Sequence, residues 1–512
     1  MREDTPFNHS TISFALGGGN IRSSACSVNK SQAYVKQHSY TVDLKPKDFL
    51  IATRLWIVYN CVRNCDKLLQ AFLLLLPKVD PPRSYAMSEL VLQAYIASET
   101  QEILDKCTTC GKCVEVCPML PYGDLQAAVP EHVVGGVLDI LRGGEGHDEA
   151  RRWAQVCTAS GSCIPACPEG INPRKMLNFA KHTLRNRERL QPSSSDTYFK
   201  RMAQSIRLLV GTQMMPDQYR RLSGLSAGMK SRAEVIFYLG CNVLRTPHIV
   251  FNVMDILDAM AVDYEVLGGV NNCCGIVHFR TQGDLGGSDR IESHTLRRFA
   301  EFQPQVVLTW CPSCQLHLGE TTAGATQLPY TLEHITQFLA DQVDDLRPRF
   351  VKALPKRVAL HEHNGIAGIN DNVRTLLTAI PGLELVDIEQ LAEPGYTCGG
   401  GSLGLVPLAQ QDVHQHLLES AKAAGVEWLV LVYHGCHRVL CDAQGRYPFE
   451  VKNFTAVVAE ALGLEPHEDL FQRYKLHRDV SKIIADAEPF IRAHGMDPEA
   501  VAAALTDPAL WV

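Results

Sequence analysis

The chain has no surplus of positive charge and no hydrophobic run long enough to enter a bilayer. Its 512 residues carry 49 Lys and Arg against 56 Asp and Glu, a formal charge of -7. No general attraction to phosphate backbones or anionic lipid follows from such a balance. The longest strongly apolar stretch, Leu68 to Pro77, runs ten residues without a charge, against the roughly 20 that a membrane-spanning helix needs. A secretory signal is not expected either, because Met1-Arg2-Glu3-Asp4 is mixed in charge and no apolar core follows it within a dozen residues. The resulting expectation is a cytoplasmic protein whose only contact with a membrane is peripheral, through a partner. The chain has no flavin fingerprint, and its Gly399-Gly400-Gly401 run lacks dinucleotide-binding spacing; it reads as a place of close backbone approach. What remains, 46% apolar and 21% charged, is an ordinary globular composition, with length for roughly three to four domains.

What stands out is the placement of the 18 cysteines. Seven lie between 107 and 167, five between 241 and 314, three between 398 and 441, and three before 66. Clusters with short fixed gaps, in a chain without a signal peptide, point to metal ligation rather than disulfides.

The segment Cys107-Thr-Thr-Cys110-Gly-Lys-Cys113-Val-Glu-Val-Cys117-Pro118 has the Cys-x2-Cys-x2-Cys-x3-Cys-Pro spacing of bacterial ferredoxins. In that arrangement three thiolates hold one cubane and the fourth ligates the other cluster of a pair. A second run, Cys157-Thr-Ala-Ser160-Gly-Ser-Cys163-Ile-Pro-Ala-Cys167-Pro168, repeats the frame with Ser160 in place of the second cysteine. Crossing the fourth ligands assigns Cys107, Cys110, Cys113 and Cys167 to one cluster and Cys157, Cys163 and Cys117 to the other. The second site, short of one thiolate, suits a [3Fe-4S] cluster, or a [4Fe-4S] cluster completed by Ser160 or solvent; a decayed half that binds nothing is the remaining alternative. The run Cys157 to Pro173 resembles the last cluster motif of succinate dehydrogenase and fumarate reductase iron-sulfur subunits, which implies the three-iron form. Apolar periodicity over Glu89 to Leu104 and His132 to Leu141, and the stretch Asp148 to Val156, predict helices around the loops. Pro173 opens another. The expectation is an α-helical two-cluster ferredoxin domain over 88–190, with Gln191 to Asp196 as a linker and further helices to 232.

From 234 the pattern changes to alternating strands and helices: Glu234 to Gly240, Ile249 to Ala261, Tyr264 to Leu267, Ser288 to Phe302 and Gln305 to Trp310. Cysteines fall at the carboxyl ends of the strands, where open α/β sheets place their ligands. The set Cys241, Cys273-Cys274-Gly275 and Cys311-Pro-Ser-Cys314 resembles the cysteine-rich domain of heterodisulfide reductases. The same resemblance extends to the iron-sulfur subunits of glycolate oxidase, anaerobic glycerol-3-phosphate dehydrogenase and lactate-utilisation complexes. It implies a noncubane [4Fe-4S] cluster on these five cysteines.

A second copy follows, with His363 against Cys241, Cys398 against Cys274 and His434 against Cys311, at offsets of 122, 124 and 123 residues. Its ligands depart from the family: His363 and Thr397 replace cysteines, and His434-Gly-Cys436-His437 replaces Cys-Pro-x-Cys. Cys398 and Cys436 with imidazoles from His363, His434 or His437 have the ligand types of Zn or a single Fe. A metal-free catalytic pocket and a degenerate structural repeat are the alternatives. His361 and Cys441 read as ordinary neighbours. Two α/β cysteine-rich repeats are thus expected, over 233–345 and 355–465, with charged amphipathic helices over 466–512.

Residues 1–86 form an unassigned leader, with translation expected to begin at Met87 and Cys61 and Cys65 incidental; a partner-docking extension is the competing reading. The whole implies an iron-sulfur oxidoreductase subunit that relays electrons through ferredoxin-type clusters to a heterodisulfide reductase-like site for thiol/disulfide chemistry. One alternative is an electron-transfer subunit working with a flavoprotein partner and feeding a quinone. Another is a metal-binding or redox-sensing module without turnover.

Overall fold

A computed structural model describes residues 91–190, 198–323 and 328–511. The leader, Met87, Cys61, Cys65 and the whole 191–196 linker lie outside the described residues.

The first part is helical. It comprises α1 (Val91–Lys106), the short α2 (Lys112–Glu115), α3 (Pro130–Leu141), α4 (Asp148–Val156) and α5 (Pro173–Arg189). Two of these helices start on a capping device: His147 accepts from Ala150 N at α4, and Asn172 accepts from Lys175 N ahead of Pro173 at α5. Buried Val133, Val137, Ile140, Trp153 and Met176 form the core that α3, α4 and α5 share. That core clamps the two cysteine loops, which have little apolar surface of their own. Helices α6 (Tyr198–Val210) and α7 (Pro216–Leu222) follow.

The rest is α/β. Strands β1 (Val235–Gly240), β2 (Tyr264–Gly268), β3 (Val306–Thr309) and β4 (Thr331–His334) pair in parallel in the order β2-β1-β3-β4. Between them run α8 (His248–Ala259), α9 (Leu285–Glu301) and α10 (Pro312–Thr322). Two helices, α11 (Ile335–Asp341) and α12 (Val343–Leu346), lead to a second parallel sheet. Its strands are β5 (Arg357–His361), β6 (Glu384–Leu385), β7 (Trp428–Leu431) and β8 (Glu450–Asn453), in the order β6-β5-β7-β8. Helices α13 (Ile369–Ala379), α14 (Pro407–Ala423), α15 (His434–Leu440) and α16 (Phe454–Ala461) cover this sheet. All six residues of β1 and all four of β7 are buried, as expected for parallel strands with both faces covered.

Helices α17 (Leu470–His477), α18 (Val480–Ala493) and α19 (Pro498–Leu505) close the described chain. They pack Phe471, Tyr474, Ile483 and Ile491 around Leu209 of α6. Among the described residues no helix is long and apolar enough to cross a membrane.

Candidate metal centres

The two ferredoxin-type loops have the same backbone. Thr109 and Ala159 both sit at φ 59°, and Gly111 and Gly161 follow at 75° and 84°. A side chain on Gly111 would run into Pro130, with a Cβ 2.5 Å from the proline Cβ. Ser160 therefore occupies the loop position that Cys110 occupies in the first copy. Cys113 feels the charges of Cys107, Cys110 and Cys167, and Cys163 those of Cys157, Cys117 and Cys113. One cavity is lined by Cys117, Cys157, Ser160 and Cys163 together with Trp153 and Arg174. Trp153 Nε1 donates to Cys117 Sγ at 3.3 Å, a bond that favours a thiolate. Burial pushes the Cys113 thiol up to about 12 and the Cys117 thiol up to about 11. Burial disfavours a lone thiolate at these positions, and a metal shared among the sulfurs would relieve that cost.

The five cysteines of the first sheet are all buried. Cys241 follows β1, Cys273 and Cys274 follow the 3-10 turn Val270–Asn272 after β2, Cys311 caps α10 and Cys314 lies in its first turn. Hydrogen bonding converges on Cys273 from Cys241 and Cys274, and runs outward from Cys314 to Cys274 and Cys311. Sharing protons along this chain holds Cys273 and Cys311 down and drives Cys241, Cys274 and Cys314 up. Gly240, at φ 70°, makes the convergence possible: a Cβ there would stand 2.9 Å from Cys314 Sγ and 3.1 Å from Cys311 Cβ.

At the second sheet the buried side chains of His361, His363, Cys398 and Cys436 bring their donor atoms within 4.8 Å of one another. His361 Nε2 lies 3.2 Å from Cys398 Sγ, and His363 Nε2 lies 3.2 Å from Cys436 Sγ and 3.5 Å from Cys398 Sγ. The far nitrogens are occupied: His363 Nδ1 meets Gly395 O at 2.9 Å and His361 Nδ1 meets Gln390 Oε1 at 3.3 Å. Such outer bonds fix the ring and leave Nε2 turned inward, as in histidine metal sites. Burial opposes the Cys436 thiolate, but bonds from Cys398, His361 and His363 hold it well below an ordinary thiol; burial drives Cys398 up.

This group differs from the ligand set expected from sequence. His361 belongs to it and is no ordinary neighbour; residues two apart on an extended strand share a face, so the His361/His363 pair is the available signal. His434 does not: its Nδ1 accepts from Trp310 Nε1 at 3.3 Å. His437 also points elsewhere, bonding Asp469 beside His248, which makes a second buried His/Asp group. Thr397 touches the site only through its hydroxyl, 3.7 Å from Cys436 Sγ. Because Trp310 precedes Cys311, its bond to His434 joins the two cysteine-bearing sheets next to both groups.

The cysteine-rich CCG domain family matches residues 235–319 and 360–468, and the 4Fe-4S binding domain family matches 101–120. The chain is 25% identical over 399 residues to a subunit of the dihydromethanophenazine:CoB--CoM heterodisulfide reductase from Methanosarcina mazei, covering 71% of this chain and 95% of that one. It is 24% identical to a subunit of the CoM/CoB fumarate reductase from Methanothermobacter marburgensis, over 58% of each chain. A probable membrane-anchored ferredoxin of Chromohalobacter salexigens is 23% identical over 71% of this chain and 60% of its own. A helical region with the 4Fe-4S match thus leads into parallel α/β sheets that carry both CCG matches, and the chain as a whole is similar to iron-sulfur subunits of oxidoreductases such as heterodisulfide reductase.

Proposed function

We propose that the chain is the electron-relaying subunit of an oxidoreductase complex, with thiol/disulfide chemistry at the five-cysteine site of the first cysteine-rich repeat. The observation that carries this reading is the convergence of five buried cysteines at the carboxyl ends of β1, β2 and β3. Cys107, Cys110, Cys113 and Cys167 would hold a [4Fe-4S] cluster, and Cys117, Cys157 and Cys163, with Ser160 beside them, a three-iron one. Cys241, Cys273, Cys274, Cys311 and Cys314 would hold the noncubane cluster, and His361, His363, Cys398 and Cys436 a single Zn or Fe. Bound clusters supply one-electron carriage over a wide span of potentials. The protein's residues bury them, set their hydrogen bonds and keep them close in sequence of transfer. The reaction consumes two electrons and two protons per disulfide and yields two thiols, the electrons coming from a partner protein, which we take to be a flavoprotein.

A second reading has support in the altered second repeat. With His363, Thr397 and His434 where the first copy has cysteines, the chain would serve as a conduit between a flavoprotein dehydrogenase and a quinone. Anaerobic purification followed by iron, sulfide and zinc analysis with EPR tests the common part. About eleven irons per chain, one further metal, and a [3Fe-4S] signal in the oxidised state are expected. Reduction of a disulfide by the reduced protein separates the two readings. Iron for the ferredoxin-type pair alone would remove both.

A further inference from the structure

A second group of buried side chains of metal-ligand type lies apart from the cysteine sites. His248 opens α8, His437 lies within α15, and Asp469 caps α17. One ring nitrogen from each histidine and one carboxylate oxygen stand within 4.8 Å of one another. The three residues come from the first repeat, the second repeat and the C-terminal helices, so only the folded chain brings them together.

The geometry suits a shared ion. His248 Nδ1 lies 3.3 Å from Asp469 Oδ1, the spacing of two donors on one ion that each binds at about 2.1 Å. That nitrogen is buried and has no hydrogen-bond partner among the described residues, so the contact with the carboxylate is not a hydrogen bond. The two imidazole rings stand 5.1 Å apart, centre to centre, inclined at 60°. Two rings bound to one ion at a near-tetrahedral angle stand about 5 Å apart. The carboxylate is held in place from its own helix, where Gln472 N donates to Oδ1 at 2.9 Å, and His437 Nε2 bonds Oδ2. The same segment is pinned to α8 nearby: His467 N donates to Asn252 Oδ1 at 2.8 Å, and the His467 ring meets Asp255 at 2.9 Å.

Two imidazoles and one carboxylate, with no sulfur, are a ligand set for Zn2+, Fe2+ or Mn2+ that leaves positions for water. The histidine side chains are 5% and 1% exposed and that of Asp469 17%, so an ion would enter past the carboxylate. Consecutive residues of α15 then serve two centres, Cys436 the group with His361, His363 and Cys398, and His437 this one.

We propose that His248, His437 and Asp469 bind one exchangeable divalent transition-metal ion, which takes the place of the hydrogen between His437 and Asp469. The ion clasps the C-terminal helices to both cysteine-rich repeats. Lacking a thiolate, the site gives up its ion to a chelator, while the sulfur-bearing group of the second sheet keeps its own. The proposal is independent of the clusters and of the thiol/disulfide reading.

The test is anaerobic titration of the cluster-loaded, chelator-washed full chain with Mn2+, following the EPR signal of the free ion at room temperature. About one Mn2+ per chain is expected to bind, to be displaced by Zn2+, and to slow hydrogen exchange in α17. Asp469→Asn and His248→Gln, on different elements, should each weaken binding at least tenfold with iron content unchanged. His363→Ala, in the other group, should leave Mn2+ binding as it is. If one variant does not fold, the other carries the comparison, and the exchange protection of the unaltered chain is read without either. Failure of the unaltered chain to bind Mn2+ overturns the proposal and reduces the contact to a ring–carboxylate hydrogen bond. Binding that survives both substitutions overturns it too, as does binding lost in His363→Ala instead, or binding that leaves α17 unprotected.

Discussion

Ser160 stands where its twin loop has Cys110, on a backbone with the same left-handed turn. Ser160→Cys therefore completes a thiolate set without moving the chain. The expected outcome is loss of the oxidised-state three-iron EPR signal and a gain of about one iron per protein. At the second sheet, removing one donor should empty a mononuclear site. His361→Ala, His363→Ala or Cys398→Ala should each lose one equivalent of metal by elemental analysis, and about 3 kcal/mol of stability. His434→Ala and His437→Ala should keep the metal, because Trp310 and Asp469 hold those rings. The cysteine frames made the thiol positions legible from sequence. The imidazoles were harder, because His363, His434 and His437 looked equivalent and His361, two residues from His363, read as an ordinary neighbour. Only the turn of α15 decides that Cys436 faces β5 while His434 and His437, three residues apart on the same helix, face Trp310 and Asp469.

At the level of elements, the strands that carry cysteines were readable to within one or two residues because β1, β2 and β3 are short apolar runs closed by glycine, cysteine or tryptophan. The edge strand β4 escaped notice, since Thr331–His334 is half polar and mostly not buried and has no apolar pattern to announce it. Gly240 is the element-level weak point of the five-cysteine site. Gly240→Ala adds a left-handed backbone cost of about 1–2 kcal/mol and drives a methyl against Cys314 and Cys311. It should cost the iron of that site while sparing the ferredoxin-type signals. The crossing of the two loops gives a sharper expectation. Cys167→Ala, in the second motif, should remove the cluster of the first loop, and Cys117→Ala, in the first motif, that of the second, each followed by EPR. Loss of the cluster nearest in sequence would contradict the crossing.

Across the whole molecule, the terminal helices are tied to the second sheet by a half-buried carboxylate. Asp442 meets Lys475 at 3.1 Å and Arg478 at 2.9 Å. Burial works to raise its pKa, but the charge and hydrogen bond of Lys475 bring it below the ordinary carboxylate value. A folded value below the unfolded one, about 3.9, means that its stabilisation is complete above that pH and is lost as pH falls through the folded value. Hydrogen exchange in α17 should therefore accelerate below about pH 4. Asp442→Asn should remove that acid response at a cost of about 1 kcal/mol at neutral pH.

The ferredoxin-like loop at 157–163 also reaches far along the chain. Thr158 bonds Pro394 O, Ser402 Oγ donates to Thr158 O at 2.7 Å across 244 positions, and Arg174 donates to Gly365 O at 2.7 Å. A ribosome adding about 5–20 residues per second leaves that loop without its lid for roughly 10–50 s after its own cysteines emerge. During that interval the sulfurs are open to oxidants and to whatever delivers iron. Maturation of this centre belongs after synthesis of the second sheet, and a chain truncated before residue 390 would carry a loop that fills poorly and loses its iron to air.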